Sequence, residues 1–130
     1  MMDYCKILKE TKTIAVVGIS RNPYKTSHSI AQFLRRVGYT VYGVNPNMDR
    51  EIEGIKVYKS LRDIDGKIDI VNVFRRSEDI PEIIDDVLAV NPKVLWLQLG
   101  IQNDVAVKPV KEKGIITIQN TCIMVAYNSC

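Results

Sequence analysis

The stretch Ile14-Ala-Val-Val-Gly-Ile-Ser-Arg-Asn-Pro-Tyr-Lys-Thr-Ser-His-Ser-Ile30 reads as three consecutive pieces: an apolar run, a polar loop with one glycine and two cations, and the start of a helix. A buried strand that feeds such a turn leaves free backbone N–H groups at the helix start. The peptide dipoles there favour negative charge, so a phosphate is the natural occupant. The dinucleotide pattern G-x-G-x-x-G does not continue beyond Gly18, because Ser20 and Pro23 stand where the next two glycines would fall. The stretch therefore points to a phosphorylated ligand other than NAD.

Outward from this stretch, apolar runs alternate with helical patterns. Thr13 to Gly18, Val41 to Val44, Ile68 to Phe74, Val94 to Leu99 and Ile115 to Ile118 read as strands buried on both faces, with a weaker sixth over Lys56 to Tyr58. Asp3 is placed to cap a first short helix, Tyr4 to Thr11. Ser27 to Val37 puts Ile30, Phe33, Leu34 and Val37 on one face and stops at Gly38. Ser77 to Val90 repeats that spacing, and Asn103 to Lys113 supplies a last helix that Pro109 should bend or begin. Strands alternating with helices imply parallel βαβ units with right-handed crossovers. The expected fold is an α/β, Rossmann-like, doubly wound parallel sheet of five or six strands ordered 3-2-1-4-5-6.

The chain has 130 residues, 46% of them hydrophobic. That suffices for one core and is short for two, so residues 1–130 are expected to form a single domain with the helix in 1–12 packed on it. The net charge of +3 comes from 18 basic and 15 acidic side chains spread along the chain. Without a polybasic block, nucleic acid and membrane surfaces are not expected partners, and the mild surplus suits a small anionic ligand. No run approaches the roughly 20 apolar residues of a membrane span, and the first residues lack a signal-peptide core, so a cytoplasmic location is expected. Cys5, Cys122 and Cys130 are odd in number and widely spaced. Reduced thiols are expected, with neither a disulfide framework nor a zinc site.

In doubly wound sheets ligands bind beyond the carboxyl ends of the strands, where strand order reverses. Those ends offer Gly18, Ile19 and Ser20; Asn45 and Pro46; Phe74, Arg75 and Arg76; Gln98, Leu99 and Gly100; and Asn120 and Cys122. Gly18 would let a phosphate approach the backbone, or simply end a strand. Ser27 reads as an N-cap, and Lys25 as a phosphate cation or a solvated one. Asn45 places an amide where an NAD site normally carries a carboxylate, which would repel a ribose phosphate. Pro46 is the ordinary residue of a strand-ending turn. Arg75 and Arg76 offer forked donors to phosphate or planes to a purine, or else pair with Glu78, Asp79 or Glu82. Trp96 alternates with Leu95 and Leu97 and reads as core. One histidine, His28, limits proton chemistry. Asp63 and Asp65 read as a solvated turn, no metal site is indicated, and the chain shows a cradle without an obvious catalyst.

The phrases Val17-Gly18-Ile19-Ser20, Gly38-Tyr39-Thr40-Val41-Tyr42-Gly43-Val44-Asn45-Pro46, Tyr58-Lys59-Ser60-Leu61-Arg62-Asp63-Ile64, Asp69-Ile70-Val71-Asn72-Val73-Phe74-Arg75 and Trp96-Leu97-Gln98-Leu99-Gly100 resemble, in order, the stand-alone CoA-binding domain proteins. These are similar to the N-terminal domain of the succinyl-CoA synthetase alpha subunit. The resemblance runs from about Thr11 to Cys122. It implies coenzyme A as ligand, with phosphates and adenosine near Gly18, Ile19, Ser20, Lys25 and Ser27, and with the pantetheine arm along Gln98, Leu99 and Gly100. Asn45, Phe74 and Arg75 fall at matching strand ends. Relatives of this kind carry arginine directly before the cysteine where Thr121 stands, so no cation role is carried over there. The matched region has no counterpart of the synthetase's phosphohistidine domain, so ligase activity is not carried over.

Three functions follow as expectations. The first is a CoA or acyl-CoA binding protein without catalysis of its own, in which Cys122 either exchanges disulfides with CoA or is an inert buried cysteine. The second is the CoA subunit of a split synthetase with a separate ligase chain; a homodimer is the other partner left open. The third is an NAD(P)-binding redox sensor, which the broken glycine pattern and Asn45 disfavour.

Overall fold

The computed structural model describes residues 2–48 and 50–130. Six strands form one wholly parallel sheet: β1 (Thr13–Val17), β2 (Thr40–Val44), β3 (Lys56–Tyr58), β4 (Ile70–Val73), β5 (Val94–Leu97) and β6 (Ile116–Ile118), in the order β3-β2-β1-β4-β5-β6. This is the expected 3-2-1-4-5-6 arrangement, including the weak strand Lys56–Tyr58. β1 lies between β2 and β4, with Val16 opposite both Gly43 and Asn72, so strand order reverses on either side of it. The crevice expected for ligands opens above the end of β1.

The period of two in each strand divides the core into two layers. Ile14, Val16, Ile70, Val94 and Trp96 face one side and pack under α1 (Tyr4–Glu10), α2 (Thr26–Arg36) and α5 (Ile123–Asn128). Ala15, Val17, Val71, Val73, Leu95 and Leu97 face the other, under α3 (Ile84–Val90) and α4 (Asp104–Glu112). Because both faces are covered, the central strands carry continuous apolar runs instead of alternating ones. Trp96 is fully buried, and its Nε1 donates to the Thr121 carbonyl at 2.9 Å.

The caps follow the residue types. Asp3 accepts from the Lys6 N–H at 3.0 Å at the start of α1, and Asn103 accepts from the Ala106 N–H at 3.0 Å at the start of α4. α2 buries Ser27, His28, Ile30, Ala31 and Leu34, and just past its end Gly38 takes φ +110°, a conformation that an L side chain resists.

Two expectations need correction, one either/or is resolved and one element is added. The helix read over Ser77 to Val90 is two pieces: a 3₁₀ stretch, Ser77–Ile83, holds Pro81, and α3 begins only at Ile84. Proline has no N–H for the α-helical ladder, and the tighter turn accommodates it. Pro109 does not mark the start of the last helix, since α4 begins at Asp104 and continues past it. α5 was not anticipated, although Ile123 and Ala126 have helical spacing and are its buried positions. Finally, Cys5 and Cys130 are not reduced thiols but a disulfide, 125 residues apart in sequence. α1 packs on α5, which brings the two ends of the chain together, and no local spacing pattern records that.

Candidate functional site

The loop after β1 is held by main-chain and side-chain bonds from three directions. Gly18 has φ +87° and donates its N–H to the Val44 carbonyl at 2.8 Å. A Cβ at that position would lie 2.6 Å from the Phe74 carbonyl oxygen, so glycine is demanded by the neighbouring strand as well as by its own dihedral. Ile19 turns its side chain into the core, where it is 1% exposed, and only its backbone remains at the crevice. Asn45 donates from Nδ2 to the Ile19 carbonyl at 2.9 Å and accepts the Asn47 N–H on Oδ1 at 2.9 Å. The amide expected to face a ribose thus ties the β1 and β2 loops to each other.

Ser27 is not the N-cap of α2. Lys25 occupies that position without a side-chain cap bond, and Ser27, two residues further in and buried, accepts the Ser20 N–H on Oγ at 3.0 Å. The carbonyl of Ser20 meets His28 Nδ1 at 2.8 Å, and His28 Nε2 meets Glu53 Oε2 at 2.8 Å. The lone histidine is therefore a strut between the glycine loop and the segment after β2. With the cap unmade, the N–H groups of Thr26 and Ser27 have no acceptor among the described residues. They are the orphan donors that a phosphate satisfies at a helix start.

Beside this helix start lies a cavity of about 600 Å³. Its lining joins Thr26 of α2, Phe74, Arg75 and Arg76 after β4, Gln98, Leu99 and Gly100 after β5, and Cys122 before α5. Seven of the residues expected from the sequence therefore meet around one space. Leu99 is 65% exposed at its rim, whereas Gln98 is 4% exposed at its base. The two arginines are partly committed: Arg75 lies 3.5 Å from Glu82, and Arg76 Nε lies 2.9 Å from Asp79 and 4.0 Å from Glu78. Each pair has at least one partner open to solvent, so an arriving phosphate can compete for the guanidiniums.

Other expected residues lie outside this cavity. Pro46 lines a separate depression of about 230 Å³ with Arg75 and Ser60. Asn120, at φ +53°, uses Oδ1 to accept the Gly100 N–H at 2.8 Å and so shapes the rim from behind. Thr26, Ile101 and Glu78 line the cavity and were not anticipated; Thr26 had a signal, since it follows Lys25 at the helix start. Arg21 and Arg50 flank a further depression of about 490 Å³ with Asn47 and Met48. Arg50 stood in an irregular segment with nothing to mark it. A cavity of about 660 Å³ sits at the opposite edge of the sheet, against Cys5, Lys9, Tyr39 and Cys130, and no expected site residue lines it. Tyr39 already donates its hydroxyl to the Leu8 carbonyl at 2.7 Å, and burial raises its pKa.

Among the described residues, no group of three or more His, Cys, Asp or Glu side chains is placed to hold a metal ion, and no helix is long and apolar enough to cross a membrane. What the site offers is a run of anion donors at one end and, at the other, an amide and a thiol.

A family model described as "CoA binding domain" matches residues 12–128, and the chain belongs to that family. It is 44% identical over 122 residues to the Bacillus subtilis protein YneT, covering 94% of this chain and 90% of that one. The solved structure of cell-free ID.343 from Thermus thermophilus superposes with a TM-score of 0.94 at 34% identity, covering 98% of each chain. A stretch of 81 residues, 62% of this chain, is 30% identical to part of the ADP-forming acetate–CoA ligase of Methanocaldococcus jannaschii. The chain spans only 11% of that ligase, so the likeness is to one region of a much longer enzyme.

Proposed function

We propose that this chain binds coenzyme A or an acyl-CoA in the crevice above β1, β4 and β5 and performs no chemistry on it alone. The observation that carries the reading is the pairing, in one groove, of two sets of donors with N–H groups to spare. One set is the Thr26 and Ser27 N–H groups with the cations Arg75 and Arg76, Lys25 standing just outside at the N-cap position of α2; the other is Gln98, beside Leu99, Gly100 and Cys122. A ligand that carries phosphates at one end and an amide-bearing arm ending in sulfur at the other suits both sets. Gly18, Ile19, Ser20, Ser27 and Asn45 act through the backbone they hold in place, and Asn120 holds Gly100. Pro46 stands at the edge, towards the adenosine end. The reading places the protein in the cytoplasm, where free CoA is available.

Isothermal calorimetry under reducing conditions tests this, with CoA, acetyl-CoA, NADH and NADPH titrated side by side. CoA is expected to bind at least tenfold more tightly than either nicotinamide nucleotide. No heat with CoA overturns the reading, and a preference for NADPH replaces it with a redox-sensor role. The identity to a segment of an ADP-forming ligase favours one extension, a separate ligase chain to which this domain presents CoA. ADP-dependent consumption of acetyl-CoA is then expected only when both chains are mixed.

A further inference from the structure

Cys122 is the one free cysteine among the described residues, is half-buried, and lines the same cavity as Gln98. Gln98 gives that thiol its context. Its Oε1 accepts the Ile123 N–H at 3.3 Å and lies 3.4 Å from Asn72 Nδ2. A backbone donor cannot exchange roles, so the Ile123 bond sets which way the carboxamide points: oxygen inward, nitrogen towards the cavity. Nε2 has no acceptor among the described residues, and although Gln98 as a whole is 4% exposed this atom is not fully enclosed, so it is reachable from the cavity that the residue lines. A ligand carbonyl that enters the cavity can take this free N–H as its donor. The residue whose N–H fixes Gln98 is the direct neighbour of Cys122. A carbonyl held by Gln98 would therefore sit in the cavity that Cys122 also lines, and the pantetheine arm carries amide carbonyls a short way before its sulfur.

Resting on the CoA-binding reading above, we propose that Cys122 captures CoA covalently as a mixed disulfide, by exchange with CoA disulfide. The Cys122 thiol gives its proton to water and attacks one sulfur of the bound CoA disulfide. The bond between the two CoA sulfurs breaks, a bond from Sγ to one CoA sulfur forms, and the second CoA departs as thiolate. The oxidation level passes unchanged from the small-molecule disulfide to the protein mixed disulfide, so no further oxidant is needed. A small thiol such as glutathione, or a partner's cysteine, reverses the step. In this way the chain stores or masks CoA in response to its redox state.

The test incubates the protein with CoA disulfide and, separately, with 2-hydroxyethyl disulfide, and follows intact mass without reductant. Peptide mapping locates the adduct, and calorimetry with CoA under reductant runs in parallel. The expected result is one CoA-sized, reducible adduct on Cys122. It should form about tenfold or more faster than the 2-hydroxyethyl adduct, because binding concentrates the disulfide beside the thiol. It should slow with adenosine 3′,5′-bisphosphate present and vanish in Cys122→Ser. Calorimetric binding of CoA with no adduct overturns the covalent step and leaves the binding reading standing. Equal rates with both disulfides, or an adduct on Cys5 or Cys130, also overturn it. Neither heat nor adduct overturns both.

Discussion

Gly18 and Phe74 meet backbone to backbone: a Cβ built on Gly18 would stand 2.6 Å from the Phe74 carbonyl oxygen. The two residues lie at the ends of adjacent strands, and Phe74 donates its own N–H to the Val17 carbonyl at 2.8 Å. The floor of the crevice is therefore set by contact between two main chains, and the loop that presents α2 cannot shift without moving the cavity wall. Gly18→Ala combines a strained dihedral with a clash against backbone. It is expected to cost roughly 2–4 kcal/mol and to weaken CoA binding in the same variant. Urea denaturation checks the first; a loss below about 0.5 kcal/mol would show that the two strand ends relax apart.

Asp69 is expected to contribute to acid stability. Burial pushes its carboxyl up, but the Lys12 and Thr13 N–H groups, both on Oδ2 at 2.9 and 3.1 Å, together with Lys93 and Lys67 outweigh that and hold the pKa below its ordinary value. A depressed folded-state pKa contributes stability that is complete above the unfolded value of about 4 and is lost as pH falls through the folded one. Asp69→Asn keeps an oxygen for both donors and removes the charge, so its denaturation midpoint should be flatter than that of the native chain below about pH 4. Asp69→Ala strands both N–H groups and should cost roughly 1–3 kcal/mol at pH 7. Urea midpoints across the acid range separate the two.

The Cys5–Cys130 disulfide closes almost the whole chain into one loop. Loop-closure entropy for so long a loop puts its contribution at up to about 4–5 kcal/mol. Thermal unfolding of native protein with and without reductant, and of Cys5→Ser/Cys130→Ser, should show a common lowering of Tm. A change of under about 1 kcal/mol would mean that α1 and α5 hold the ends together unaided.

Arg75 is the cation most central to the proposed ligand, since it lines both the main cavity and the depression beside Pro46. Its pair with Glu82 is long, at 3.5 Å, whereas Arg76 is held by Asp79 at 2.9 Å. Arg75→Ala should weaken CoA about tenfold to a hundredfold, the worth of one charge-assisted bond to phosphate, and Arg76→Ala less. Glu82→Gln should tighten binding slightly by freeing Arg75. Calorimetry on the three variants gives the order, and equal losses at Arg75 and Arg76 would contradict it.

Particular residues show how far the sequence could be read. Val16-Val17-Gly18 and Val94-Leu95-Trp96-Leu97 announced doubly covered strands because an uninterrupted apolar run has no other low-energy place in an α/β chain. Gathering Phe74, Arg75, Gln98, Leu99 and Cys122 at one edge followed from parallel strands that all end on the same side. The roles of Ser27 and Asn45 were not legible. Each was read by residue type as a cap and a ribose contact, yet each spends its hydrogen bonds on another loop, Ser20 in one case and Ile19 in the other. Pro81 redirected a helix whose apolar spacing alone looked continuous.

Local chemistry in the chain, its periods and its strand-to-helix turns, determined the layered sheet, its order and the edge at which a ligand would sit, because those rest on backbone geometry that repeats every few residues. Only the tertiary structure decided which polar groups remain unspent at that edge, Thr26, Ser27 and Gln98, and that Cys5 finds Cys130 while Cys122 stays free. Hydrogen-bond partners and sulfur pairs are matched across long separations in sequence, by how helices pack on the sheet, and no local pattern carries that information.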